Sequence, residues 1–307
     1  MEKIRKFHGW IFLDKPSGYT SNKILQKVRK LFFHEKAGFV GTLDPMASGF
    51  LPIALGKATK IIKYMHNLEK EYVFTVCWGV KTSTGDREGE VLEKRQNYPN
   101  LKQINEAINT VKKYKKQTPP RFSAIKVGGK RAYKLAREGI QFKLKDRTVD
   151  IVNLKLEEII NKNEAKFYVK CSAGTYVRSL AEKIAEECGT ICYLIKLRRT
   201  GFGKLDKNLI SLDSLSSLMH IDKLILKLKP VNCIFKKESN IEINYKELEV
   251  LKNGGNIIVN KEIIDKIHTD NSNYDNLLIA SYKRDFLIVG QLVNRFFYPK
   301  KVLDLLN

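Results

Sequence analysis

Gly41-Thr42-Leu43-Asp44-Pro45-Met46-Ala47-Ser48-Gly49 sets one carboxylate, Asp44, in a turn of glycine, proline and small residues, with no other acid within eight positions on either side. Proline disfavours the α region for the residue before it, so Asp44 does not continue a helix. Gly41 and Gly49 frame the turn and permit close approach of a backbone or ligand. Alone, the stretch has two readings. It is either an Asx-type turn that only shapes the chain, or a rigidly held acid that does chemistry.

Working outward, residues 10–13 form a short apolar strand candidate ahead of the Pro16/Gly18 turn. Ser21 is expected to cap a helix in which Ile24, Leu25, Val28, Leu31 and Phe32 recur at helical spacing. Ala58, Ile61, Ile62 and Met65 mark a second amphipathic helix. Residues 72–80 alternate as a strand, with Tyr72, Phe74, Val76, Trp78 and Val80 on one face. A helix over 101–111 and an alternating strand at Phe167, Val169 and Cys171 follow. Val177, Leu180, Ile184 and Cys188 then repeat helically, with Thr175 as the expected N-cap. Strands and helices interleave without regular βαβ periodicity, so the fold class is mixed α+β rather than doubly wound. A boundary falls within 205–240, beyond which short strands at 241–243, 277–280 and 286–289 suggest a small β-barrel.

The 307 residues carry 56 Lys and Arg against 33 Asp and Glu, a formal charge of +23. Such an excess favours a polyanionic partner, RNA, DNA or an anionic membrane face; a generally lysine-rich proteome is the plainer account. Neither a signal peptide nor a membrane-spanning stretch is legible. Cys188 and Cys192 fall where they could share a helix face, yet no second pair or His cluster completes a zinc site. The cysteines therefore read as inert thiols of a reducing cytoplasm. No phosphate loop or dinucleotide fingerprint is present, so no metal and no cofactor is expected.

Four further motifs accompany the Asp44 turn: Leu13-Asp14-Lys15-Pro16-Ser17-Gly18-Tyr19-Thr20-Ser21, Lys70-Glu71-Tyr72 running on to Thr82-Ser83-Thr84-Gly85-Asp86, Pro119-Pro120-Arg121-Phe122-Ser123-Ala124-Ile125-Lys126, and Cys171-Ser172-Ala173-Gly174-Thr175-Tyr176-Val177-Arg178-Ser179-Leu180. In this order and spacing they resemble the TruB family of bacterial tRNA pseudouridine-55 synthases, over residues 10–203 and more weakly to the C-terminus. The resemblance implies a pseudouridine-synthase catalytic domain over 1–235, with a mixed, mainly antiparallel sheet flanked by helices. It also implies a thumb-like RNA-clamping segment at 119–150 and a PUA-like RNA-binding domain over 240–307. The implied activity is cofactor-free isomerisation of the T-loop uridine of tRNA by a cytoplasmic monomer that needs no guide RNA.

That reaction breaks the N1–C1′ bond of a uridine, turns the base and joins C5 to C1′. It needs a carboxylate that attacks C1′ or C6. The resemblance gives this role to Asp44, and which carbon it attacks stays open. It makes Arg178 the paired cation, expected to keep the Asp44 pKa low; an exposed helix-end arginine is the alternative. It makes Tyr72 the residue that stacks on the base near the departing C5 proton, where a core aromatic is the plainer reading. Leu197 is implied to pack on the base, although a core leucine accounts for it nearly as well. Lys15 either buttresses the turn or contacts phosphate. Arg121, Lys126, Lys130, Arg131, Lys134 and Arg137 supply a basic arm, flanked by Pro119-Pro120 and Gly128-Gly129, that closes on the T-arm. The target base must be flipped out of a folded loop, at a cost of a few kcal/mol. Phe39 stands where the family usually has histidine, and can stack on a base but not hydrogen-bond its edge. Competing readings are an RNA-folding protein, a synthase directed by guide RNA, and a ribosomal structural protein; the last explains the charge but not the motifs.

Overall fold

The computed structural model describes residues 6–218, 220–236, 239–268 and 277–306. Part of the polar stretch 236–240 and the Asn-rich turn before residue 277 lie outside them. In chain order the strands are β1 (Gly9–Lys15), β2 (Ala37–Phe39), β3 (Ser48–Leu55), β4 (Lys70–Trp78), β5 (Val80–Thr82), β6 (Val91–Lys94), β7 (Lys116–Gln117), β8 (Lys126–Val127), β9 (Lys130–Arg131), β10 (Arg147–Thr148), β11 (Ile151–Asn161), β12 (Glu164–Cys171), β13 (Cys192–Phe202), β14 (Ile210–Ser211), β15 (Asn240–Glu242), β16 (Ile257–Ile258), β17 (Leu277–Tyr282), β18 (Phe286–Val293) and β19 (Phe296–Asp304). The helices are α1 (Ser21–Leu31), α2 (Leu101–Val111), α3 (Ala132–Arg137), α4 (Val177–Glu187), α5 (Leu212–Ser216), α6 (Ile221–Ile225), α7 (Tyr245–Lys252) and α8 (Lys261–His268).

The large sheet runs β11-β12-β4-β13-β3-β1-β14, with β2 added on β3. Only β13 on β3 and β14 on β1 pair in parallel; the remaining pairings are antiparallel, so the sheet is mixed and mainly antiparallel, as expected. Its register brings distant residues together. Arg199 of β13 lies opposite Tyr72 of β4 on one side and Gly49 of β3 on the other. Cross-strand partners face the same side of a sheet, so the Asp44 turn, Tyr72 and the 197–199 stretch converge.

Local expectations hold in outline and fail in detail. Thr20, not Ser21, caps α1: its side chain accepts from the Lys23 amide. Ser21 is diverted to the Asp44 turn. Thr175 does not cap α4; its hydroxyl donates to the Ser172 carbonyl, and Tyr176 flanks the helix without a side-chain cap. The 56–65 segment is a 3-10 helix rather than an α-helix, with Ile62 only half-buried. The 72–80 alternation breaks at Gly79, whose φ of +77° turns the chain so that Val80 joins a separate two-stranded sheet. Cys188 ends α4 and Cys192 opens β13, so they share no helix face.

The C-terminal strands form a curled five-stranded sheet, β15-β17-β18-β19-β16, in keeping with the PUA-like expectation. An apolar cluster containing Ile279, Leu287, Val289 and Leu303 of that sheet also contains Trp10, Phe12, Phe50 and Ile61. The C-terminal sheet is therefore seated on the back of β1 and β3. Trp10 adds a hydrogen bond from Nε1 to the Val231 carbonyl at 3.0 Å. The main core lies between the large sheet and helices α2 and α4, around Phe74, Phe167, Ile104, Leu180 and Ile184.

Candidate active site

The Asp44 turn is held by the second motif, residue by residue. The Ala47 amide donates to the Asp44 carbonyl at 3.1 Å, closing the turn, and the Gly18 amide donates to Pro45 O at 2.8 Å. Ser17 Oγ donates to Met46 O at 2.8 Å. Ser21 Oγ both donates to Leu43 O and accepts from the Leu43 amide. Lys15 is fully buried, and its ammonium donates to the carbonyls of Pro16, Pro45 and Ala47 at 3.0, 3.3 and 2.6 Å. Burial pushes its pKa down to about 8. This is the geometry of a strut under the turn, and an ammonium so enclosed does not reach a phosphate.

Arg178 leaves the first turn of α4 and points at the carboxylate. Its Nε lies 3.0 Å from Asp44 Oδ2 and its Nη2 3.2 Å from Asp44 Oδ1, a two-pronged pair. The guanidinium side chain is only 4% exposed, whereas a third of the Asp44 side chain faces solvent. Two further donors are committed as well: Nη1 to Thr84 O at 2.9 Å and Nη2 to Phe122 O at 2.9 Å. A second acid, buried Asp86, sits 3.8 Å from Arg178 Nε. Its Oδ1 accepts from Thr84 Oγ1 and from the Glu88 amide.

Two acids sharing one cation change the expected electrostatics. The Asp44 pKa is raised, not lowered: burial is the largest cause, Arg178 opposes it and Asp86 adds to it. The sign for activity follows. A nucleophilic carboxylate works ionised, so kcat/KM should fall with decreasing pH through a pKa above the ordinary aspartate value. Asp86→Asn removes one of the groups that raise it, and should move that acidic limb to lower pH in a pH–rate profile. An unchanged or upward-shifted limb would contradict the assignment.

Tyr72 is 9% exposed and joins a buried cluster with Leu43, Met46, Ala47 and Leu197. Both residues singled out for base contact thus belong to the core cluster that also takes in Leu43, Met46 and Ala47 of the Asp44 turn. Burial raises the phenol pKa, and Arg199 opposes the rise. Phe39, on β2 opposite Ile53, is half-buried against the cluster around α1. The basic arm is a hairpin, β8 and β9, turned by Gly128 and Gly129 at φ +55° and +85°, followed by α3. Lys126, Lys130, Arg131, Lys134 and Arg137 are exposed there. Arg121 is exposed too, but its Nη2 donates to Ile140 O and its guanidinium covers the Phe142 ring at 5.3 Å. The arm is rooted by pairing of β7 with β10, and its Phe122 carbonyl is the one that Arg178 holds.

The family model "TruB family pseudouridylate synthase (N terminal domain)" matches residues 29–177. The tRNA pseudouridine synthase B of Ehrlichia ruminantium (strain Gardel) is 40% identical over 257 residues, covering 82% of this chain and 87% of its own. That of Bartonella henselae (strain ATCC 49882 / DSM 28221 / CCUG 30454 / Houston 1) is 32% identical over 324 residues, covering 99% and 98%. The chain belongs to the TruB family of pseudouridylate synthases. Among solved structures, a Cbf5-Nop10-Gar1 complex matches with a TM-score of 0.69 at 23% identity, covering 96% of this chain and 84% of the other. An H/ACA RNP bound to a substrate RNA containing 2'-deoxyuridine matches at 0.65 and 22%, covering 93% and 78%. At those identities the likeness concerns the fold.

Within this TruB-family centre, sequence reasoning missed the second acid and a second arginine. Asp86 stood at the end of a quoted motif, and only its buried place beside Arg178 gives it weight. Arg199 was given no role in the sequence, and it is 1% exposed.

Proposed function

We propose that this protein isomerises uridine to pseudouridine at the T-loop position 55 of tRNA, acting alone, without guide RNA or cofactor. The observation that carries the reading is a partly open carboxylate, Asp44, gripped at two points by a buried arginine on a turn that four neighbouring residues immobilise. The tRNA pseudouridine synthase B name of its relatives supports the substrate class.

In this scheme Asp44 attacks C1′ or C6 of the flipped-out nucleotide, and the N1–C1′ bond breaks. The base turns, C5 bonds to C1′, the bond to Asp44 breaks and returns its electron pair to the carboxylate, the C5 proton departs to solvent and N1 gains one. No atom is gained or lost. Tyr72 stacks on the base; burial favours its neutral phenol, so it accompanies the C5 proton through its hydroxyl rather than waiting as a phenolate. Leu197 packs on the other apolar surface, Phe39 stacks in the loop, and Lys15 acts indirectly by fixing the turn. Arg121, Lys126, Lys130, Arg131 and Arg137 clamp the T-arm.

The test is incubation of the purified protein with an unmodified tRNA transcript, followed by carbodiimide labelling and primer extension. A single stop at the T-loop uridine supports the reading; a tRNA that binds but stays unmodified overturns it. The arm has its own signature. Replacing Lys126, Lys130 and Arg137 together with alanine should weaken tRNA binding at 150 mM salt and reduce the salt slope of log Kd by roughly 2–3, since each lost phosphate contact removes about 0.7–0.9. The single-turnover rate at saturating enzyme should stay within a few-fold, as measured by rapid quench.

A further inference from the structure

Among the described residues Arg199 is the largest charged side chain that is less than 2% exposed, and the scheme above gives it no part. Its Nε donates to Phe50 O at 2.7 Å and its Nη2 to Gly41 O at 2.9 Å. Its guanidinium lies over the Phe202 ring at 5.1 Å. Among the described residues it forms no ion pair with a carboxylate. A buried cation without a counter-charge is costly, so such a residue persists where its hydrogen bonds hold something in place.

What it holds is the frame of the active site. Gly41 and Gly49, the two glycines that bracket the Asp44 turn, both abut it. A Cβ on Gly41 would come within 3.0 Å of Arg199 Nη1, and one on Gly49 within 2.2 Å of the Arg199 carbonyl oxygen. Across the sheet, Arg199 is the direct partner of Tyr72, and the two side chains interact electrostatically, the cation opposing the rise in the phenol pKa. One guanidinium therefore bonds the entry of the Asp44 turn and the strand that leaves it, on the residue whose cross-strand partner is the tyrosine proposed to stack on the base.

We infer that Arg199 is a positioning residue for the reaction: it locks the Asp44 turn and the Tyr72 hydroxyl into one rigid frame without touching the nucleotide. The inference rests on the isomerase reading and extends it to a residue that neither the motifs nor the charge pattern marked. Misplacement of reacting groups by about 1 Å costs roughly 10²-fold in rate, which sets the expected scale.

Three measurements on the full chain test it. In single-turnover assays, Arg199→Lys keeps the charge but not the fork, and should lower the rate by about 10–100-fold with tRNA Kd within a few-fold. In the Tyr72→Phe background the same change should cost markedly less, because the hydroxyl that faces the cation is gone. Equal costs in both backgrounds would overturn the inference. Tyrosine Cζ NMR provides a readout independent of turnover, the Tyr72 signal being assigned by its loss in Tyr72→Phe. The phenol faces Arg199, Cys171 and Asp44; removing the cation in Arg199→Gln should move its titration to higher pH, and no movement counts against the contact. If both variants fail to fold, wild-type protein still decides: a through-space correlation between the Arg199 guanidinium protons and the Tyr72 ring is required. Absence of wild-type turnover would sink the isomerase reading while leaving these NMR results to stand or fall alone.

Discussion

Asp44→Ala will abolish pseudouridine formation while leaving tRNA binding within a few-fold. Removing a group that forms the covalent bond typically costs roughly 10⁴-fold or more, and what remains reflects binding and positioning by the rest of the site. Binding should survive because the turn does not depend on the carboxylate for its shape. Lys15, Ser17, Gly18 and Ser21 hold its backbone through carbonyls and amides. Pseudouridine mapping beside a filter-binding measurement separates the two effects. Parallel loss of binding and turnover would mean that Asp44 is structural, the Asx-turn reading that the sequence left open.

Arg178→Met will impair both activity and stability, and the two losses have one cause. The guanidinium serves Asp44, Asp86, Thr84 O and Phe122 O at once. Its removal leaves buried Asp86 without a cation and two carbonyls without donors. Breaking a buried pair on one side costs about 3–5 kcal/mol. Because Asp44 is a third exposed and relaxes toward water, the lower end, about 3 kcal/mol, is expected. For a chain of this size that corresponds to a fall in Tm of about 5 °C by calorimetry. The rate should drop by roughly 10²–10³-fold, since the nucleophile loses its orientation and the Phe122 anchor of the basic arm is released together. Arg178→Lys should recover little, because a single ammonium cannot span four acceptors in a plane. Full activity in Arg178→Lys would show that charge alone is needed there.

The sequence carried much of this site because its parts are short and stereochemically demanding. An Asp-Pro step between glycines and a Pro-Ser-Gly turn each restrict the backbone locally, and such restrictions are legible in order, whereas Arg178 was marked by the resemblance to the TruB family. The periodic helices α1, α2 and α4 and the strand β4 emerged for the same reason, their buried faces repeating at 3.6 or 2 residues. Caps were less legible. Thr20 and Ser21 are both competent N-caps, and the choice went to Thr20 because Leu43, distant in sequence, claims the Ser21 hydroxyl. The small strands and helices after residue 240 were only half seen, since β19 crosses Pro299 at a register shift and α7 is short.

By itself the amino-acid sequence determined the fold class and the rigid turn that holds Asp44, because both rest on local backbone chemistry and periodicity, while the resemblance to the TruB family pointed to Arg178 and the basic arm. Only the tertiary structure decided how the charges are balanced. The pairing of β13 with β3 and β4 buries Arg199 against Gly41, Gly49 and Tyr72. Burial turns the expected lowering of the Asp44 pKa into a rise, and the loop after β5, which sets Asp86 beside Arg178, adds to it. Burial and long-range register set the energy of a charge, and neither is written in the few residues around it.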